Sequence, residues 1–77
     1  MAKVTVYSTP TCPYCDMLKN FLKENNVEFE EVNVAEDKEA AKMIVRETNQ
    51  MGVPVTKVDD QWIIGFDQDK LKEVLKL

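Results

Sequence analysis

Apolar positions along the chain change period several times, and each change marks an element. Lys3 to Tyr7 (Lys-Val-Thr-Val-Tyr) is short, β-branched and aromatic, the signature of a strand with a central place in a sheet. Ser8 to Thr11, with Pro10 inside, breaks it. From Pro13, the residues Tyr14, Met17, Leu18, Phe21 and Leu22 recur at helical spacing and predict an amphipathic helix to Glu24. Pro13 suits a first helical turn, and Asn25-Asn26 ends the helix, asparagine being tolerant of the left-handed conformation. Val27 to Val34 reads as a second strand, whose Glu28, Glu30 and Glu31 place it at a wet edge. A second helix is expected from Glu36 to Gln50, with Ala40, Ala41, Ile44 and Val45 on its buried stripe. Val53 to Val58 and Gln61 to Ile64 are two short strands around Asp59-Asp60, a hairpin pattern. Asp67 is placed to cap a last helix carrying Leu71, Val74, Leu75 and Leu77, with Lys70, Lys72 and Lys76 outside.

The order is β-α-β-α-β-β-α, without repeat, linker or low-complexity tract. The strand-helix-strand start implies a parallel pair with a right-handed crossover, and the closing hairpin adds antiparallel strands. The expectation is an α/β fold with a four-stranded mixed sheet flanked by three helices. A chain of 77 residues leaves no room for a second core, so residues 1–77 are expected to form a single domain.

Charge narrows the function classes. Ten basic and fourteen acidic residues are scattered, and the net charge of −4 offers no basic face for nucleic acid. The longest apolar runs are only a few residues, too short to span a bilayer. Met1-Ala2-Lys3-Val4 leads toward the first strand without a leader pattern, so a cytoplasmic location is expected. Thiols there are normally kept reduced, and a disulfide is usually transient and catalytic.

Against that background stand Cys12 and Cys15, the only cysteines, in Thr11-Cys12-Pro13-Tyr14-Cys15 at a strand-to-helix junction. A Cys-x-x-Cys pair there suits reversible dithiol–disulfide exchange, since its sulfurs meet across one helical turn. The helix N-terminus favours a thiolate at the first of them, so Cys12 is the expected nucleophile and Cys15, one turn further in, the resolving thiol. Two other readings compete. A structural disulfide closing so short a ring would stabilise little through loop entropy. A resident zinc is not expected, because two cysteines without any histidine cannot supply four ligands, and only a site shared between two chains would restore a metal or cluster. Cys15 as a small apolar filler does not explain the spacing.

The remaining candidates carry two readings each. Pro13 stiffens the loop and donates no hydrogen bond; Tyr14 either packs beside a bound thiol or is a surface aromatic. Gly52 and Gly65, the only glycines, fall in loops and serve either close approach of a ligand or a positive φ. Trp62 and Phe66 are core residues or an apolar lip for a partner; Asp67 and Asp69 are helix caps or ligand contacts.

With Cys-Pro-Tyr-Cys on the first strand-helix loop, Gly52-Val53-Pro54 before the third strand and Gly65-Phe66-Asp67-Gln68-Asp69-Lys70-Leu71 at the last helix, the chain resembles the glutaredoxins over essentially its whole length. That resemblance implies the thioredoxin-like fold. It also implies a cis bond at Val53-Pro54, which turns the Val53 backbone N–H and C=O outward beside the two sulfurs, so that a substrate pairs with it as an added strand. Substrate contacts are then expected from Thr11, Pro13, Tyr14, Val53, Pro54, Gly65, Phe66 and Asp67. No bound cofactor is expected. Reducing equivalents would come from glutathione, or from NADPH through a thioredoxin-type flavoprotein reductase. The partners would be protein disulfides, such as those of a reductase-type enzyme or a peroxidase, and the chain a monomer.

Departures from the glutathione-binding pattern cluster around the sulfurs. Thr9 stands where a cation is typical, Gly52 where threonine precedes Val-Pro, Phe66 in place of the second glycine of a pair, and Gln68 in place of an aspartate. The Gly-Phe form resembles the NrdH-redoxins, glutaredoxin-like hydrogen donors of ribonucleotide reductase that take electrons from thioredoxin reductase. Lys3, Lys19 and Arg46 are the candidates for a substitute cation.

Overall fold

A computed structural model describes residues 3–50 and 52–77. The lead-in through Met1 and Ala2 lies outside the described residues. Elements run β1 (Val4–Ser8), α1 (Pro13–Glu24), β2 (Glu30–Asn33), α2 (Lys38–Thr48), β3 (Val55–Val58), β4 (Gln61–Ile64) and α3 (Gln68–Leu75). The sheet order is β2-β1-β3-β4, with β1 parallel to β2 and antiparallel to β3, and β3 antiparallel to β4. This is the mixed four-stranded, three-helix arrangement of the thioredoxin-like fold.

Strand alternation divides the interior in two. Val4 and Val6 of β1, Val58 and Ile63 face Leu18 and Leu22 of α1 and Leu71 of α3. Tyr7 and Val55 face the other way, against Ala40 and Ile44 of α2. Helices α1 and α3 therefore cover one side of the sheet and α2 the other. The fully buried Leu18, Leu22, Ile63 and Leu71 contribute about 1.5–3 kcal/mol each relative to exposure.

Four expectations need correction. The second strand is half the expected length, because the Val27 N–H is spent closing α1. It donates to the Leu22 carbonyl at 2.9 Å while Asn26 (φ 58°) donates to Lys23 at 3.1 Å, the pairing of a Schellman motif. Val27 and Phe29 still pack on the core, but outside the ladder. Helix α2 begins at Lys38 rather than Glu36, because the Asp37 carboxylate caps it by accepting from Ala40 N–H at 3.0 Å, and it ends at Thr48 where Asn49 turns left-handed (φ 58°). Val45 and Met17, expected on buried stripes, are exposed, as is Leu77, which lies beyond the left-handed Lys76 that stops α3. The third strand starts at Val55, after the proline, rather than at Val53.

Among the described residues, no helix is long and apolar enough to cross a membrane.

Candidate active site

Because β1 and β2 are parallel, α1 must run back along the sheet, and its first turn sits at the end where β1 finishes. Cys12 is the N-cap residue of that helix, in an extended conformation (φ −107°, ψ 106°). Its Sγ accepts the Cys15 backbone N–H at 3.1 Å, and its carbonyl accepts Asp16 N–H at 3.3 Å. Pro13 occupies the first helical position, where the missing N–H costs no helical bond. Cys12 and Cys15 are joined as a disulfide, their Cα atoms 5.2 Å apart, within the usual range for such a bond. The two sulfurs differ in surroundings: Cys12 is half-buried, whereas Cys15 is completely enclosed. Free N–H groups and the positive helix end favour negative charge on the outer sulfur.

The same end of the sheet gathers the other candidates. Tyr7 pairs with Val55, so the Val53–Pro54 segment leaves β3 beside the segment that carries the cysteines, and the Val53–Pro54 bond is cis. Gly65, just beyond β4, donates its N–H to the Pro54 carbonyl at 2.8 Å and holds φ at +75°, a conformation that side chains rarely adopt. A side chain at Gly52 would stand in open space, with no atom within 4 Å. Val53 is half-buried and lines a small apolar recess with Val34, Ala41, Ile44 and Val45, whereas Pro54 is buried.

Not every candidate faces solvent at this end. Phe66 packs on the α1–α3 side, edge to face with Phe21 at 5.9 Å between centroids. Asp67 caps α3, its Oδ1 accepting Lys70 N–H at 3.1 Å. Trp62 is half-buried, 5.8 Å from the Tyr7 ring with the Lys57 ammonium 5.3 Å above its centroid. Tyr14 is 61% exposed, and Met17, three residues on along the same helix, is 48% exposed. Thr11 is exposed in the turn before Cys12. The inward stripe of α1 is Cys15, Leu18 and Leu22, so Tyr14 and Met17 form an apolar outer strip next to the disulfide. Sequence periodicity hid Met17, since two stripes one residue apart are both apolar.

The substitute cations are mostly engaged elsewhere. Lys19 bridges α1 to the sheet edge, its ammonium 2.8 Å from Glu31 and 3.5 Å from Asp16. The hydrogen bond to Glu31 is the main reason that its pKa lies above the usual lysine value. Lys3 sits at the opposite end of β1, its N–H donating to Asp59 Oδ1 at 2.9 Å. Arg46 is exposed on α2, 4.0 Å from Glu47. Among the described residues, no group of three or more His, Cys, Asp or Glu is placed to hold a metal ion.

A redox pair at a helix N-cap, next to a cis-proline loop in this topology, matches a known family. The glutaredoxin family model covers residues 4–63. The chain belongs to the glutaredoxin family. An uncharacterized glutaredoxin-like 8.6 kDa protein in the rubredoxin operon of Clostridium pasteurianum is 37% identical over 73 residues, spanning 95% of this chain and 97% of that one. The glutaredoxin-like protein NrdH of Lactococcus lactis strain IL1403 is 34% identical, over 92% of this chain and 97% of its own. Among solved structures, the glutaredoxin-like NrdH-redoxin of Escherichia coli superposes with a TM-score of 0.84 at 27% identity, covering 92% of both chains. This glutaredoxin is therefore a thiol–disulfide oxidoreductase with a close cysteine pair.

Proposed function

We propose that this glutaredoxin is a dithiol electron carrier that reduces protein disulfides through Cys12 and Cys15, recharged by a thioredoxin-type flavoprotein reductase at the expense of NADPH. The observation that carries the reading is the unequal pair at the α1 N-terminus: an outer sulfur accepting a backbone N–H, and an enclosed one a turn away. In the reduced protein the Cys12 thiolate attacks one sulfur of the substrate disulfide. A Cys12–substrate bond forms, the substrate S–S bond breaks, and the departing sulfur takes a proton. Cys15 then loses its proton and attacks the Cys12 sulfur. The Cys12–Cys15 bond forms as the mixed disulfide breaks, and the second substrate thiolate is protonated in turn. Two electrons have passed from the dithiol to the substrate.

The Val53–Pro54 loop, beside the segment that carries the cysteines, offers the Val53 backbone for pairing with an extended substrate segment. Exposed Tyr14 and Met17 give an apolar contact suited to a protein surface. Thr11, Pro13 and Gly65 complete the rim, while Phe66 and Asp67 act on substrate only through the shape of the loop that they anchor. The domain works as a monomer over residues 1–77, holds no cofactor of its own, and operates in the cytoplasm.

A reductase is favoured over glutathione as electron source on local grounds. Thr9 carries no charge, Lys19 is held by Glu31 and Asp16, and Asp67 is spent on its helix cap. Support for that reading comes from the glutaredoxin-like NrdH proteins among the relatives and from the E. coli NrdH-redoxin, which has a thioredoxin-like activity profile. Glutathione-dependent deglutathionylation is the alternative, kept in view by Cys-Pro-Tyr-Cys itself. A cluster shared by two chains through Cys12 comes third. The test reduces the oxidised protein in parallel with thioredoxin reductase plus NADPH, and with glutathione plus glutathione reductase. Rapid NADPH consumption in the first and slow turnover in the second are expected; the reverse pattern would overturn the choice of reductant.

A further inference from the structure

Thr56 Oγ1 is the one buried side-chain nitrogen or oxygen among the described residues that has no hydrogen-bond partner. The residue is fully enclosed, and a buried hydroxyl left unpaired costs about 1–3 kcal/mol. Val55 and Val58 on the same strand show that valine is accommodated there, so a hydroxyl at position 56 calls for a reason.

Its place in the fold supplies one. Thr56 stands opposite Val6 on β1 and Ile63 on β4, and both of those belong to the core cluster formed with Leu18 and Leu22 of α1 and Leu71 of α3. The Thr56 side chain therefore faces the side of the sheet that α1 and α3 cover. Cys15 lies on the inward stripe of α1, one turn before Leu18, and is equally enclosed. Helix α1 starts at the end of the sheet where β3 begins, and Thr56 is only two residues past Pro54. In the disulfide form the Cys15 sulfur is bonded to Cys12 and carries no charge needing a donor.

We propose that Thr56 is a positioning residue for Cys15: when the disulfide is reduced, its hydroxyl donates a hydrogen bond to the Cys15 sulfur and favours the thiolate that resolves the mixed disulfide. This rests on the dithiol reading above. The proton leaves Cys15 as the hydroxyl bond strengthens. Cys15 sulfur then bonds Cys12 sulfur, the Cys12–substrate bond breaks, and the substrate thiolate is protonated. The hydroxyl, released at that moment, is left unpaired as it is in the disulfide form. The reduced state gains a bond that the oxidised state lacks, so Thr56 makes the pair easier to reduce.

Thr56→Val removes the hydroxyl and little else. In dithiothreitol redox buffers, the variant should favour the disulfide by about three- to tenfold, the worth of one net hydrogen bond. On a Cys12→Ser background, Thr56→Val should move the pH midpoint of Cys15 alkylation upward. Thr56→Ser should restore both readouts, and Thr56→Ala should reproduce the valine result if valine disturbs folding. A merely structural threonine would change the melting of oxidised and reduced protein alike and leave both readouts at the wild-type value, which would overturn the inference while the wild-type chain still reduced insulin. Wild-type protein that reduced no disulfide at all would instead refute the dithiol reading, and this inference with it.

Discussion

At the scale of single residues, asymmetry between two identical side chains is the main result. Cys12 caps a helix and receives a backbone N–H; Cys15 is sealed beneath the same turn. Cys12→Ser is expected to abolish all thiol transfer. Cys15→Ser should spare reduction of a small mixed disulfide yet remove reduction of protein disulfides, because only the latter needs a resolving thiol. Assaying both variants against a glutathione mixed disulfide and against insulin separates the roles, and equal loss in the monothiol assay would refute the division. The acidity of the pair follows from the same geometry. Alkylation of Cys12 in the reduced protein, mapped by mass, should show a midpoint well below the ordinary thiol value of about 8.5, and an unshifted midpoint would remove the helix-terminus argument. The pair was legible in the sequence because its spacing has few other uses. The outward turn of Met17 was not, because Tyr14-Met17-Phe21 and Leu18-Leu22 differ by one residue in phase and either stripe satisfies helical periodicity.

At the scale of elements, the ends of helices decide more than their middles. The Asn26 Schellman closure of α1 fixes where β2 starts, and the Asp37 and Asp67 carboxylates fix where α2 and α3 begin. Asn26→Ala places an ordinary side chain in the left-handed region and should cost about 1 kcal/mol, whereas Asn26→Gly should be neutral or stabilising. Urea midpoints of the two variants check this, and equal midpoints would contradict it. Asp67→Ala should lose a similar ~1 kcal/mol of cap stabilisation without altering the Cys12 alkylation midpoint. Asp67 was readable as a cap from its place before an amphipathic run. Asp37 was not, since Glu36, Asp37 and Glu39 form one acidic cluster in which composition alone does not single out the cap.

At the scale of the whole molecule, electrostatics links the redox helix to the sheet. The Lys19 ammonium is raised above 10.5, first by its hydrogen bond to Glu31. The Tyr7 phenol is raised above 10.0 by burial, then by the negative charges of Asp37 and Glu30. Both groups have folded values above their unfolded ones. The stability they contribute is therefore fully present below about pH 10 and is lost as pH rises through those raised values. Urea midpoints should hold from neutral pH to about pH 9 and fall beyond about pH 10, with Tyr7→Phe falling less steeply; identical alkaline slopes would rule out the Tyr7 contribution. The Lys19–Glu31 pair itself is partly exposed, so its loss should be modest and weaker still in high salt.

The amino-acid sequence by itself determined the order of elements, the redox pair and the glutaredoxin family, because turn residues, hydrophobic period and a four-residue motif are local properties. It did not decide which apolar stripe of α1 faces inward, how far Val27 to Val34 pairs as a strand, or which charges near the sulfurs stay unpaired. Those depend on what each residue meets across the fold. Leu18 rather than Met17 finds Val6 and Ile63, Lys19 finds Glu31, and Val27 gives its N–H to Leu22. The unpaired Thr56 hydroxyl belongs to the same class: in the sequence it is an ordinary strand threonine, and only packing of the α1–α3 side onto the sheet encloses it.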